Sequence, residues 1–427
     1  MSLDAASGCL ALLIWLGLAL FRGGFWRMKN RFLPEEDAEK GCEIRRTPAK
    51  PPAPPPQINA LPSMVGQAFS LPEPFSASPK DSGGRQTARV AAVIPARNEA
   101  DSIAAAVSSL LRQHYAGPIR VFVVDDDSSD GTASVAAQAA AAANALERLT
   151  VLRSEPLPAG WTGKLWAVSQ GIREAAQWNP DYLLLTDADI VHDPSNVAQL
   201  EAWAEKQSLD LASLMVKLHC ASLAERLLTP AFVYFFFLLY PPGWTNEPRR
   251  TTASAAGGCM LVRPTALERI GGIQAIRGEI IDDCALARAL KQTGSRIWIG
   301  LSKSTQSQRP YGSFGEMGEM ISRTAFNQLR HSAALLAVTI AGLIVTYLLP
   351  VGLAVTGRTW PAILGGAAWL LMAATYAPLV RFYGLPVIWA LSLPAAAAFY
   401  MAATIHSAWK HWKGRGGEWK GRAQDAG

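Results

Sequence analysis

The stretch Tyr182-Leu183-Leu184-Leu185-Thr186-Asp187-Ala188-Asp189-Ile190 decides how the rest of the chain is read. An apolar run ends in two carboxylates one residue apart. Turn residues bound it, Asn179-Pro180-Asp181 before and Asp193-Pro194 after. The apolar half therefore reads as a buried strand of a parallel sheet. Ligands of open α/β sheets bind beyond the carboxyl ends of the strands, where Asp187 and Asp189 fall. Two neighbouring acids repel unless a cation or proton offsets their charge. One reading is a Mg²⁺ or Mn²⁺ site that holds a phosphate-bearing substrate. The plainer reading is a solvated strand end.

Upstream, the pattern alternates. Residues 90–94 read as a strand and 100–113 as a helix. Residues 121–124 then read as a strand, 133–146 as an alanine-rich helix, 149–152 as a strand and 165–176 as a helix. This alternation predicts an α/β fold, a Rossmann-like and mostly parallel sheet with right-handed crossovers. Residues 210–218 are a further candidate strand.

The chain has 427 residues, enough for a domain of about 250 residues plus membrane segments. Hydrophobic residues make up 50%, charged residues 17%, and the mean hydropathy is +0.12. That balance suits a membrane protein with a sizeable water-facing part. The net charge of +6 is concentrated beside the apolar spans, at Arg22, Arg27, Lys29 and Arg31 and again over 410–422. Such clusters suit anionic lipid headgroups rather than nucleic acid. Cys9, Cys42, Cys220, Cys259 and Cys284 show no paired spacing, so a reduced compartment is expected, without disulfides or a zinc site.

Five regions follow. Residues 1–33 are an N-terminal anchor. Its apolar core, 8–21, is long enough to span as a tilted or slightly short helix, and Arg22-Gly23-Gly24-Phe25-Trp26-Arg27 gives it a basic, aromatic border. No basic n-region precedes it and no small-x-small site follows, so it reads as uncleaved, with the next loop cytoplasmic. Residues 34–86 carry Pro48, Pro51, Pro52, Pro54, Pro55 and Pro56 and read as an extended tether. Residues 87–332 form the cytoplasmic domain, 333–409 the C-terminal membrane segments and 410–427 a basic tail. Within the domain, 227–240 is apolar and aromatic but short for a span. An interfacial helix is preferred there, with a buried core helix as the rival. The segments 333–356, 360–380 and 384–408 are each long enough to cross a bilayer. Three passes would leave the basic tail on the far side, against the positive-inside rule. Either one segment is re-entrant or interfacial, or the rule is overridden.

Four stretches should converge at the strand ends: Pro95-Ala96-Arg97-Asn98-Glu99, then Asp125-Asp126-Asp127-Ser128-Ser129-Asp130-Gly131-Thr132, then Gly160-Trp161-Thr162-Gly163-Lys164, and the Asp187/Asp189 pair. Acids at the first two can accept hydrogen bonds from a nucleobase or ribose. Lys164 at a helix start, with Gly163 allowing close approach, suits a diphosphate. Ser128, Ser129 and Asp130 are explained as well by helix capping and a glycine turn.

This order and spacing resembles the family 2 nucleotide-sugar glycosyltransferases, which have the GT-A fold, over roughly residues 89–330. Within them, the Arg22–Arg27 border, Pro95–Glu99, Gly163-Lys164-Leu165-Trp166-Ala167 and Arg323-Thr324-Ala325-Phe326-Asn327-Gln328-Leu329 are similar to the hopanoid-biosynthesis-associated membrane glycosyltransferases. The proline-rich tether is longer than the linker usual in that group. The resemblance implies a multi-pass enzyme of the inner (plasma) membrane that transfers a hexosyl group from a nucleoside-diphosphate sugar, UDP above all, to a lipid hydroxyl. It also implies Mg²⁺ or Mn²⁺ as cofactor. Pro95, Ala96, Asn98, Glu99, Asp125, Asp126 and Gly163 would bind the nucleotide-sugar, with Lys164 near the diphosphate. Asp187 would face ribose or sugar and share the metal with Asp189. Residues 257–263 match the loop on the acceptor side. Ile281-Asp282-Asp283-Cys284-Ala285-Leu286 matches the motif whose second acid is the catalytic base, which picks out Asp283, with Asp282 in place of the usual Glu.

The chemistry agrees. Sugar transfer needs charge on the leaving diphosphate stabilised and a proton taken from the acceptor hydroxyl. One base without a second nucleophilic carboxylate means direct displacement with inversion, by the logic that separates the two classes of glycosidase. Asp282 and Asp283 also fit a plainer role, as first-turn acids of a helix over 284–291. One departure stands out. Processive members carry Gln-x-x-Arg-Trp, whereas this chain has Gln306-Ser307-Gln308-Arg309-Pro310. Arg309 remains a phosphate-binding candidate, with Arg323, Gln328 and Arg330 as alternatives. The missing Trp favours transfer of a single sugar. The rival readings are a polyprenyl-phosphate or glycolipid acceptor and a non-catalytic nucleotide-binding scaffold. A dinucleotide oxidoreductase is disfavoured, because no G-x-G-x-x-G follows the first strand.

Overall fold

The computed structural model of the chain describes residues 3–27 and 87–414, with the backbone of 418–419 and 422–423. The tether expected at 34–86 and most of the basic tail lie outside the described residues.

Eight strands form one sheet: β1 (Val90–Ala96), β2 (Ile119–Asp125), β3 (Leu149–Arg153), β4 (Tyr182–Thr186), β5 (Ile190–Val191), β6 (Leu211–Lys217), β7 (Cys259–Val262) and β8 (Ile297–Ser307). Their order is β3-β2-β1-β4-β7-β6-β8-β5. β1 pairs in parallel with β2 and β4, β2 with β3, and β6 with β8. β7 runs antiparallel to β4 and β6, and β5 antiparallel to β8. The expected parallel half is present, and beyond β4 the sheet is mixed. All seven residues of β1 are buried, so the strand shows no polar alternation. α2 (Ala100–Leu111) and α3 (Thr132–Ala142) cover one face. α4 (Gly163–Ala176) covers the other. At Gly171 on α4, an added Cβ would lie 2.4 Å from Val93 Cγ1, so glycine sets how closely this helix approaches β1.

α5 (Asn196–Gln207) leads into β6. α6 (Leu223–Leu239) starts four residues before the expected apolar stretch, at a capping box of Ser222 and Glu225. α7 (Asp282–Gln292) precedes β8, and α8 (Phe314–Gln328) follows it.

α1 (Leu3–Phe21) packs against α11 (Thr359–Phe382). Between α8 and α11, α9 (Ala333–Leu343) continues through a π turn, Ile344–Leu348, into α10 (Leu349–Ala354). A π turn frees a carbonyl, and the Trp15 indole donates to Thr346 O at 2.8 Å. A 3₁₀ segment, Val387–Ser392, leads into α12 (Leu393–Trp412). Among the described residues five helices are long and apolar enough to cross a membrane: Asp4–Phe21, Leu223–Thr245, Ala333–Ala354, Thr359–Phe382 and Val387–Trp412.

Candidate active site

The carboxyl ends of β1 and β4 face the N-terminus of α7 across an open cleft. Pro95, Lys164, Asp187, Gly257 and Asp282 line its polar side, and Ile273, Ile276 and Leu286 part of its apolar wall. Thr162 caps α4, its hydroxyl accepting from Leu165 N–H at 3.4 Å. The cap places Gly163 and Lys164 in the first turn.

Lys164 Nζ lies 2.8 Å from Asp187 Oδ1 and 3.2 Å from Asp282 Oδ2. Burial opposes its charge, but Asp187 and Asp282 outweigh it and hold the Lys164 pKa above its ordinary value. Asp283 sits beside them. Its Oδ2 accepts from Gly257 N–H at 2.9 Å and its Oδ1 from Cys284 N–H at 2.7 Å. Burial, aided by the Asp282 charge, pushes the Asp283 pKa up to about 6, against the opposing pull of Lys164. The cluster thus brings together a cation and a carboxylate whose basicity suits proton acceptance near neutral pH.

A second cluster adjoins it. Asp189 Oδ2 accepts from Ser307 Oγ at 2.7 Å and lies 3.7 Å from Arg309 Nε. Arg309 Nη2 donates to both oxygens of Glu99, at 2.6 and 2.8 Å. Burial and the charge of Asp187 raise the Asp189 pKa. Of the candidates in the 306–330 region, Arg309 enters the site. Gln328 instead donates to Tyr240 Oη, and Arg330 stands in the turn after α8 at φ 51°.

The remaining predicted residues have other surroundings. Pro95 lines the cleft. Ala96 O accepts from Asp126 N–H at 2.8 Å. Asp126 is buried, its carboxylate 3.5 Å from Arg97. Asp125 Oδ1 accepts from Ser128 N–H, and Asn98 Oδ1 from Ser129 N–H. These bonds lock the loops after β1 and β2 together, as does Asp130, which accepts from Ala100 and Thr132 N–H. Asp130 thus holds the first N–H groups of α2 and α3, and Gly131 makes the expected turn at φ 86°. Ser128 and Ser129 cap no helix among the described residues and bond to Asn98 and Asp125 instead. Residues 257–263, read as an acceptor-side loop, include strand β7. Only Gly257 faces Asp283.

Ser307, the Gly257 N–H and the Thr186 hydroxyl were not singled out from the sequence. Ser307 lay inside the quoted Gln306–Pro310 stretch, and Thr186 directly precedes Asp187. Backbone donors such as Gly257 carry no side-chain signal.

A divalent ion would find hard carboxylate oxygens at Asp187 and Asp189, and the raised Asp189 pKa reports a charge pair that a cation would relieve. These residues fit Mg²⁺ or Mn²⁺. Among the described residues no cluster of three or more His, Cys, Asp or Glu forms a cage, so other ligands would come from substrate phosphate and water.

The sequence matches the family described as glycosyltransferase like family 2 over residues 88–323. No curated protein matches it in sequence. Among solved structures it is similar to mannosyltransferase PcManGT from Pyrobaculum calidifontis in complex with GDP-Man and Mn²⁺, at 17% identity, covering 96% of this chain and 99% of that chain, with a TM-score of 0.46. It is similar to S. aureus TarS 1–349 at 14% identity, covering 76% and 92%, TM-score 0.35. It is also similar to glucosyl-3-phosphoglycerate synthase from Mycobacterium tuberculosis at 18% identity, covering 55% and 76%, TM-score 0.34. The family match spans more than half of the chain and contains both charged clusters. The chain belongs to glycosyltransferase like family 2, and it is a GT-A-type nucleotide-sugar glycosyltransferase.

Proposed function

We propose that this glycosyltransferase is a membrane-bound, inverting enzyme that moves a single sugar from a nucleoside-diphosphate sugar, UDP-linked above all, to the hydroxyl of a lipid. The observation that carries this reading is Lys164, whose ammonium joins Asp187 on the donor side to Asp282 beside Asp283. Glu99, Asp126 and the loops they close would hold the nucleoside. Lys164 would exchange its carboxylates for the donor's diphosphate. A Mg²⁺ or Mn²⁺ ion held by Asp187 and Asp189 would, when bound, offset charge on that diphosphate. The acceptor oxygen attacks the anomeric carbon, the bond from that carbon to the phosphate oxygen breaks, and Asp283 takes the hydroxyl proton. One base and one displacement invert the configuration. Pro310, where processive relatives carry Trp, supports release after one transfer. The motif resemblance supports a hopanoid-type acceptor.

The helices support a membrane reading with a defined arrangement. The start of α1 meets the start of α11 through Asp4 and Arg358. Their other ends face the sheet domain: Lys303 of β8 lies over Phe382, and Arg22 donates to Leu238 O at 3.0 Å. Both ends of α6 lie on that same side. Glu225 accepts from Tyr311 N–H at 2.7 Å, and Leu238 meets Arg22. α6 would therefore lie along the interface. α9–α10 would cross outward and α11 would cross back. The segment 387–412 would enter and return on one side: Trp369 Nε1 donates to Leu391 O at 3.1 Å, midway along α11. At the far end of the segment, His411 stacks on His331, where α9 begins, at 4.0 Å. A re-entrant last segment puts the basic tail with the catalytic domain, as the positive-inside rule asks.

The test is binding of UDP and GDP with Mn²⁺ to purified protein by calorimetry, together with nucleotide release from a panel of nucleotide sugars and lipids. We expect metal-dependent binding that Asp189→Ala weakens at least tenfold. Unaltered binding in Asp189→Ala, with no nucleotide released from any donor, would overturn the reading.

A further inference from the structure

Beneath both charged clusters lies a buried polar chain that no step above uses. Thr186, His192, Asn196 and Thr305 are each at most 2% exposed. Thr186 Oγ1 is 2.7 Å from Gly258 O and 3.0 Å from His192 Nε2. His192 Nδ1 is 3.0 Å from Asn196 Nδ2, and Thr305 Oγ1 is 2.9 Å from Asn196 Oδ1.

The proton positions follow from these partners. A carbonyl oxygen only accepts, so the single Thr186 hydroxyl proton goes to Gly258 O. The Thr186 oxygen must then accept, which puts a proton on His192 Nε2. Burial holds the ring neutral, its pKa pushed down to about 4. Nδ1 is left as an acceptor for the Asn196 amide, whose oxygen accepts from Thr305. Each donor meets an acceptor, and a fully satisfied buried network of this kind fixes geometry.

The ends of the chain are informative. Thr186 directly precedes Asp187. Gly258 directly follows Gly257, whose N–H holds Asp283. Thr305 lies on β8, two residues before Ser307, which holds Asp189. We propose that His192 is a positioning residue, fixing through the Thr186 hydroxyl the backbone at Gly257–Gly258 that aims Asp283, and so setting the base relative to the Asp187/Asp189 strand end. This inference rests on Asp283 being the base, as proposed above. It differs from a merely structural role in predicting a change at Asp283 that loss of stability alone does not produce.

The test is the titration of the Asp283 carboxyl in the full-length protein, followed by infrared difference spectroscopy and identified by its loss in Asp283→Asn. In the unmodified protein the band should titrate near pH 6. Thr186→Val keeps the side-chain shape and removes only the hydroxyl. It should move the midpoint upward by about one pKa unit, because the Gly257 N–H bond to the carboxylate is loosened. His192→Phe should do the same, and Thr186→Ser should restore the original midpoint. Thermal melts identify any variant that fails to fold. A midpoint unmoved in folded Thr186→Val would overturn the inference. A mobile midpoint combined with full turnover in Asp283→Asn would instead refute the base assignment and leave the positioning contact standing.

Discussion

Arg309 grips Glu99 with one nitrogen, 2.6 and 2.8 Å from the two carboxylate oxygens, while its Nε faces Asp189 at 3.7 Å. The end of β8 is thereby fastened to the loop after β1. Removing the guanidinium leaves Glu99 and Asp189 facing one another. Arg309→Ala should cost about 1–2 kcal/mol, discounted for partial exposure. Mn²⁺ should then raise the melting temperature of the variant more than that of the unmodified protein, because a metal would replace the missing cation. Equal Mn²⁺ shifts in both would contradict this. Arg309→Lys should rescue only in part, since a single ammonium can bond Glu99 but has no second nitrogen to face Asp189.

The raised pKa of Asp283 gives a signed pH dependence. A base must be ionised to act, so turnover should rise with pH through about 6 and fall below it. Asp283→Asn should lower turnover by about 10²- to 10⁴-fold. Stability should move the opposite way. The folded pKa lies above the ordinary 3.8, so the stability from protonated Asp283 is present at low pH and is lost as pH rises through about 6. Asp283→Asn carries no such charge and should melt higher than the unmodified protein at pH 8, with the gap closing at pH 4.

Lys164 keeps Asp187, Asp282 and Asp283 from repelling. Lys164→Met removes the only side-chain cation within ion-pair reach of Asp187 and Asp282 among the described residues. It should destabilise the fold by about 2–3 kcal/mol, less than the 3–5 typical of a fully buried broken pair. It should also move the acid limb of turnover to higher pH, since the lysine holds the Asp283 pKa down. Urea melts and a pH profile of the residual activity check both.

The parallel half of the sheet was legible because β1, β2 and β4 are built on apolar runs, with β2 ending at Asp125 and β4 just before Asp187. β7 was not, because Cys259–Val262 is a four-residue run inside a stretch read as a loop. β8 was missed for another reason. Its outer half, Lys303–Ser307, is polar, and its pairing with β5 depends on tertiary packing rather than local pattern. Asp187, Asp189 and Lys164 were singled out by type and spacing, and Asp283 through the family resemblance. The donors that orient them were not, because a backbone N–H at Gly257 or a serine at 307 resembles many others. The fate of the last apolar segment was left open by hydropathy, since length alone does not distinguish a crossing from a re-entrant hairpin.

That arrangement is testable. With a membrane-impermeant maleimide on intact cells, Arg358→Cys should label, since it stands in the turn between α10 and α11. Lys413→Cys, at the end of α12, should label only after permeabilisation. Labelling of Lys413→Cys in intact cells would place the tail opposite the catalytic domain and remove the re-entrant reading.

The most direct test of the central claim is transfer itself. Labelled nucleotide sugars would be incubated with Mn²⁺, a lipid extract and either the unmodified enzyme or Asp283→Asn, with UDP and GDP binding measured in parallel. The expected result is labelled sugar in the lipid fraction with the unmodified enzyme alone, while Asp283→Asn keeps nucleotide affinity within about threefold, a change below one kcal/mol. Near-normal lipid labelling by Asp283→Asn would contradict the account.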